Sequence, residues 1–271
     1  MIDKELWNKI EEIRKSGAES QKLHFANYQK PIPNREDMEE KDFVKKIEEI
    51  GKVFSEYQNS YSDEYNKLLA KCECQEYSKG GQAFHRGYYC PTVVMDIVIQ
   101  NASRGKKVKN IPKQKPYYRY GFDSEHKLLI VDKYGDLDRH EFLVYEDNRE
   151  YGITFDENIG IINISECIYD GQNRLTDYFV YSLVGSDVSS CTAEIYTYDD
   201  NGLILDLYDY SDLNQTKKLL NNLSRHERFT FPVIDGKLSE YIYEDCLPRP
   251  DYEEVCRVLD EMDKSLFENL S

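Results

Sequence analysis

The sequence predicts an α+β fold: a large antiparallel meander sheet preceded by helices and followed by one C-terminal helix. Three observations predict it. Apolar residues recur every three to four positions before residue 70 and after residue 250; they alternate with period two in much of the region between; and turn pairs such as Asn-Gly and Asp-Gly interrupt that region at short intervals. The 271 residues allow one large domain or two modest ones. The change of period divides them into a helical N-terminal region with a Gly-rich loop, residues 1–90, and a sheet domain with a C-terminal helix, residues 91–271.

The elements follow in order. Ile2, Leu6, Ile10 and Ile13 form one helical stripe, which Trp7 extends. After the breaker stretch Lys30-Pro31-Ile32-Pro33-Asn34, a second helix starts near Arg35 and carries Phe43, Ile47, Ile50, Phe54 and Tyr57 on one face. Ser62 followed by Asp63 and Glu64 predicts a fresh cap for a short third helix through Tyr65, Leu68 and Leu69. Ser78-Lys79-Gly80-Gly81 reads as a flexible loop, and Val93 to Ile99 as the first strand. A basic segment, Arg104 to Arg119, leads into the sheet, where turns at Asp123–Lys127, Gly135-Asp136, Asp147-Asn148, Asp170-Gly171, Gly185-Ser186, Asn201-Gly202 and Asp235-Gly236 separate about eight to eleven strands. A helical turn is expected from Lys217 to Leu223. Beyond Pro248 and Pro250, a last helix carries Val255, Leu259, Met262, Leu266 and Leu270.

Composition narrows the function classes. The longest apolar run, Val93 to Ile99, is interrupted by Asp96 and is far too short for a spanning helix, and the start of the chain has no basic-then-apolar signal. Seven cysteines, an odd number in a chain with room for a core, do not form a disulfide framework; reduced thiols and a cytoplasmic location are expected. The net charge of −16 is unevenly placed: residues 1–120 carry 22 Lys and Arg against 18 Asp and Glu, residues 121–271 carry 13 against 33. Such acidity repels nucleic acid and anionic lipid and attracts a basic protein. Alternatively, the acidity only keeps a tyrosine-rich surface soluble.

Few residues suggest chemistry. Cys72, Cys74, His85 and Cys90 are a reasonable zinc set by ligand type, but one intervening residue between cysteines turns their side chains apart in an extended segment. The cluster is the only defensible site for an alternative reading as a zinc enzyme. No nucleophile elbow, metalloprotease motif or phosphate-binding glycine loop is present, so neither enzyme activity nor a cofactor is expected. The segment 104–119, with Arg104, Lys106, Lys107, Lys109, Lys113, Lys115 and Arg119 near Tyr117, Tyr118 and Tyr120, offers a second alternative, a nucleic-acid contact. A solvated connection is the favoured account of it, and the acidic half opposes a polyanion.

Fifteen of the 23 tyrosines lie between Tyr117 and Tyr243. Cross-strand packing accounts for most of them, and the remainder supply rigid, amphipathic area to a recognition face. Tyr196 with Tyr198 and Tyr208 with Tyr210 each share a strand face under alternation. These four are the expected anchors for a basic partner, with Asp199, Asp200, Asp206 and Asp209 as the acidic groups that speed its approach.

Tyr196-Thr197-Tyr198-Asp199-Asp200-Asn201-Gly202-Leu203 and Tyr169-Asp170-Gly171-Gln172-Asn173-Arg174-Leu175-Thr176 resemble the tyrosine-aspartate hairpins of bacterial Rhs-type toxin proteins, and Tyr120 to Leu128 is a looser copy. The aromatic-Asp positions are irregularly spaced, unlike a true repeat array, and the chain is too short for that family's toxin-enclosing shell. It is more similar to the small acidic bacterial proteins of polymorphic toxin systems, which include immunity proteins. The resemblance implies a protein-binding module that neutralises a toxin by direct binding.

Overall fold

The computed structural model describes residues 40–82, 85–92, 104–199, 202–211, 213, 223–234, 237–238 and 241–246. The expected helices at 2–14 and 252–270, the strand at 93–99 and most of the helical turn at 217–223 lie outside the described residues. Leu223 itself opens a strand.

Two helices come first: α1 (Glu40–Tyr57) and α2 (Tyr61–Leu69). In α1 the expected stripe faces inward, with Phe43 and Ile50 buried and Ile47, Phe54 and Tyr57 packed against the core. The cap of α2 is Ser60 rather than Ser62, and its side chain makes no capping bond. Only the short turn after Tyr57 separates the two helices, and Glu64 N–H already donates to the Ser60 carbonyl.

Thirteen antiparallel strands follow: β1 (Cys74–Lys79), β2 (Lys106–Val108), β3 (Tyr117–Phe122), β4 (Leu128–Tyr134), β5 (Arg139–Glu146), β6 (Arg149–Asp156), β7 (Gly160–Tyr169), β8 (Leu175–Val184), β9 (Asp187–Asp199), β10 (Gly202–Tyr210), β11 (Leu223–Ile234), β12 (Lys237–Leu238) and β13 (Ile242–Asp245). From β3 to β11 each strand pairs with its sequence neighbours, a meander. The count exceeds the expected eight to eleven partly because Ser78 and Lys79, read as loop, belong to β1. That strand lies between β2 and β3, and Cys-Gln-Glu-Tyr-Ser-Lys carries no apolar alternation to announce it. The sheet thus begins before residue 90. At the other margin β12 and β13 both pair with β11.

Cross-strand register sorts the side chains into two faces. Ile130, Phe142, Ile153, Ile164, Tyr181, Cys191 and Tyr210 are successive partners in one row across seven strands. This row lies under the helices, where Phe43 stacks on Tyr210 at 4.3 Å and Tyr57 meets Phe142 edge-on. Three polar points fasten the helices: Tyr65 donates to Asp132 Oδ1 (2.7 Å), Lys46 Nζ lies 3.4 Å from Glu166 Oε2, and Arg149 donates to Glu49 Oε2 at 3.4 Å. On the opposite face, Tyr118, Tyr120, Phe122 and Val131 form one apolar cluster, and Cys167, Tyr178, Tyr196, Leu205, Leu207 and Phe229 belong to another. Between them, segment 85–92 lies against the sheet through Arg86.

Two of the three resemblance-bearing hairpins, those at Asp123 and Asp170, have a common local geometry; the turn residues Asp200 and Asn201 of the third lie outside the described residues. Asp123 and Asp170 each accept two backbone N–H bonds through Oδ1, from residues two and four positions on. Each turn also places a non-glycine residue, His126 or Asn173, at positive φ. The aspartate therefore supplies the acceptors that close the turn.

Candidate functional site

The most densely charged buried region lies where segment 85–92 crosses the second face. Arg86 sits in the left-handed region at φ 59 and its guanidinium is fully covered. Nε donates to Glu141 Oε1 at 2.7 Å, Nη1 donates to Glu150 Oε1, and Nη2 donates to Ser165 Oγ at 2.9 Å. Glu141 and Glu150 project from β5 and β6, so two strands grip one cation. Burial alone would push the Glu141 carboxyl up; Arg86 and then His85 hold it well below the usual carboxylate range instead. Gly152 makes the arrangement possible, because a Cβ there would overlap Glu141 Oε1, Arg86 Nη2 and Ser165 Oγ. Beside this network the Tyr178 hydroxyl lies 2.5 Å from His85 Nδ1. At the end of the segment, Thr92 and Tyr196 (2.5 Å) both donate to Glu194 Oε2, whose carboxyl burial raises to about 7. Arg104 ties the chain down by donating to the Cys90 and Thr92 carbonyls.

This geometry corrects the zinc set. His85 and Cys90 belong to the segment on the second face, whereas Cys72 donates to the Leu68 carbonyl and packs with the helix-side core. Cys74 is exposed, 3.9 Å from His126 Nδ1. The sheet separates Cys72 from His85, and no group of three potential ligands converges among the described residues.

The tyrosines chosen as anchors are mostly interior. Tyr208 and Tyr210 are buried under α1, Tyr196 is buried on the opposite face, and Asp206 is fully buried against His226 (3.2 Å) and Arg228 (2.9 Å). Tyr198 is half-buried, donating to the Leu175 carbonyl with Arg174 over its ring; Asp209, also half-buried, accepts from Thr192 and Arg225. Alternation groups each pair correctly, but the two pairs point to opposite faces. Asp199 ends β9, and Asp200 lies outside the described residues. The basic segment is largely engaged as well: Lys107 pairs with Glu76, Lys115 with Asp138 and Arg119 with Asp132. Lys106 and Lys109 remain exposed on or beside β2 at the sheet margin, where lysines discourage edge pairing.

One exposed surface was not anticipated. The β4–β5, β6–β7 and β8–β9 turns emerge from the same end of the meander, and each presents a bare apolar side chain: Leu137 at 61%, Ile159 at 73% and Val184 at 63% exposure. Each has an exposed acid close by in its turn, respectively Asp136, Glu157 and Asp187. Alternate hairpins are two strands apart, so the three tips form a row at intervals of roughly 10 Å. Scattered single residues in the sequence become a row only when strand order is known.

No protein-family model matches the chain, and no curated protein matches it. Among the described residues, no helix is long and apolar enough to cross a membrane.

Proposed function

We propose that this chain is a protein-binding module that captures a basic protein at the end of its sheet, across the Leu137, Ile159 and Val184 tips. The carrying observation is the repeated pairing of an exposed apolar side chain with an exposed acid on three alternate hairpins. Apolar tips supply the desolvated centre of such an interface, and Asp136, Glu157 and Asp187 supply the field that steers a cationic partner. A toxin neutralised by direct binding is the partner class that the Rhs-like hairpins imply. The contact surface differs from the tyrosine faces expected from sequence, because Tyr196, Tyr208 and Tyr210 already fill the interior.

The test is affinity capture from the native cell followed by calorimetry with the purified partner. A basic protein should be retained, and changing Leu137, Ile159 and Val184 together to Ser should weaken it by about tenfold or more. Neutralising the three acids should slow association and flatten its salt dependence. A partner that binds the triple-Ser variant as tightly as the parent chain would refute the sheet-end surface.

A further inference from the structure

On the face crossed by segment 85–92, just inside the β4–β5 turn, Lys133 and Arg139 are direct cross-strand partners. Both are half-buried. Lys133 Nζ donates to the Gln82 carbonyl at 3.1 Å and has no carboxylate partner among the described residues, and Arg139 makes neither a hydrogen bond nor an ion pair among them. In a chain with 51 acidic residues against 35 basic ones, two adjacent cations without a counter-ion stand out. Burial, and then the neighbouring Arg139, hold the Lys133 ammonium below its usual range, as expected for cations with no anion between them.

These two residues line a hollow of about 220 Å³ with Gln82, His85 and Thr154. Five buried side-chain polar atoms lack a hydrogen-bond partner among the described residues, and three of them belong to this lining: Gln82 Nε2, His85 Nε2 and Thr154 Oγ1. Buried donors without partners are costly, so their concentration around one cavity points to a missing acceptor. All three can donate. His85 Nε2 is 3.3 Å from Glu141 Oε2 without the alignment of a hydrogen bond, and it is a donor whenever it carries the ring proton. Glu141 is the only carboxylate in the lining, and Arg86 already engages it. A second hollow of about 320 Å³ shares Gln82, Lys133 and Arg139 and extends toward Lys115 and Leu137.

We propose that the inner hollow binds the phosphate group of a small phosphomonoester, with Lys133 and Arg139 meeting its charge and the second hollow holding its organic part. A phosphate suits this set better than a carboxylate: it brings close to two negative charges and three acceptor oxygens to two cations and several donors. The inner hollow is separate from the sheet-end surface, since neither Lys133 nor Arg139 is one of the three tips, whereas the second hollow reaches Leu137 and Asp136 of that surface.

Calorimetry on the full chain, with inorganic phosphate and glycerol 3-phosphate as probes and sodium chloride at matched ionic strength as control, tests the site. One saturable site per chain is expected, and Arg139→Met should weaken it by about tenfold or more, as should Lys133→Met. Lys113→Met, an exposed change outside both hollows, should leave it unaltered. Tighter binding of the ester assigns the site to organic phosphates, and equal affinity assigns it to free phosphate; both support the anion site. If Lys133→Met fails to fold, Arg139→Met alone decides. No saturable binding of either probe, or binding that survives Arg139→Met as an adventitious ion only, would overturn the proposal.

Discussion

The two faces of the sheet are covered in different ways. The helix-covered face is built mainly of a continuous aliphatic and aromatic row, with charge admitted where Tyr65, Lys46 and Glu49 reach Asp132, Glu166 and Arg149 and, toward β11, where Asp206 meets His226 and Arg228. The face under segment 85–92 has two separate apolar clusters with Arg86, Glu141, Glu150 and Ser165 between them. The cover explains the difference. A helix satisfies its own backbone and can offer a purely apolar stripe, whereas an irregular segment brings backbone polar groups and a buried cation that need partners.

The largest expected effect tests the charged face. Arg86→Met strands Glu141 and Glu150 in a buried site and should cost about 3–5 kcal/mol of stability in urea denaturation. Adding Glu141→Gln and Glu150→Gln should restore much of that loss, because the network is needed only while its carboxylates remain. If the triple variant is as unstable as Arg86→Met alone, the guanidinium acts through packing and the contrast between the faces weakens. The matching change on the helix face, Phe43→Ala, removes an aromatic buried against Tyr210 and should cost about 3 kcal/mol. Here no second substitution of a charge should rescue it.

This contrast also marks what the sequence could reveal. The α1 stripe and the meander were legible because helical and alternating periods report burial directly. Strand β1 was not, since its exposed and half-buried polar residues gain their place by pairing with β3. The tyrosines at 196, 208 and 210 were read as surface because alternation shows which residues share a face and not what covers it. The Arg86 network was invisible for another reason: Arg86 is 55 to 79 positions from its partners and meets them only through strand order. Gly152 was the one local clue, a glycine inside an alternating run.

The smaller effects are pH signatures, one from each face. Glu194, under segment 85–92, has its carboxyl raised by burial from 4.5 to about 7. The folded state therefore holds a proton that the unfolded chain has released, and stability falls as pH rises from about 4.5 to 7. Glu194→Gln removes that dependence while its amide oxygen still accepts from Tyr196, and should stabilise the protein by about 2 kcal/mol at pH 8 with little effect at pH 4.

His140, on the helix face, titrates in the same sense through a different cause. Its hydrogen bond to Asp132 raises the imidazole pKa, burial opposes this, and the Asp132 charge adds to the rise. Its stabilisation is complete below about 6.5, the value in the unfolded chain, and is lost as pH climbs through the raised folded value. His140→Gln should therefore flatten the stability profile only above pH 6.5, whereas Glu194→Gln flattens it only below about 7. The His140 change should be the smaller, because Arg119 and Tyr65 remain bound to Asp132 when the imidazole is gone. Urea midpoints of the two variants across pH 4 to 9 separate the faces, and a His140→Gln profile that still falls above pH 7 would assign that slope to another group.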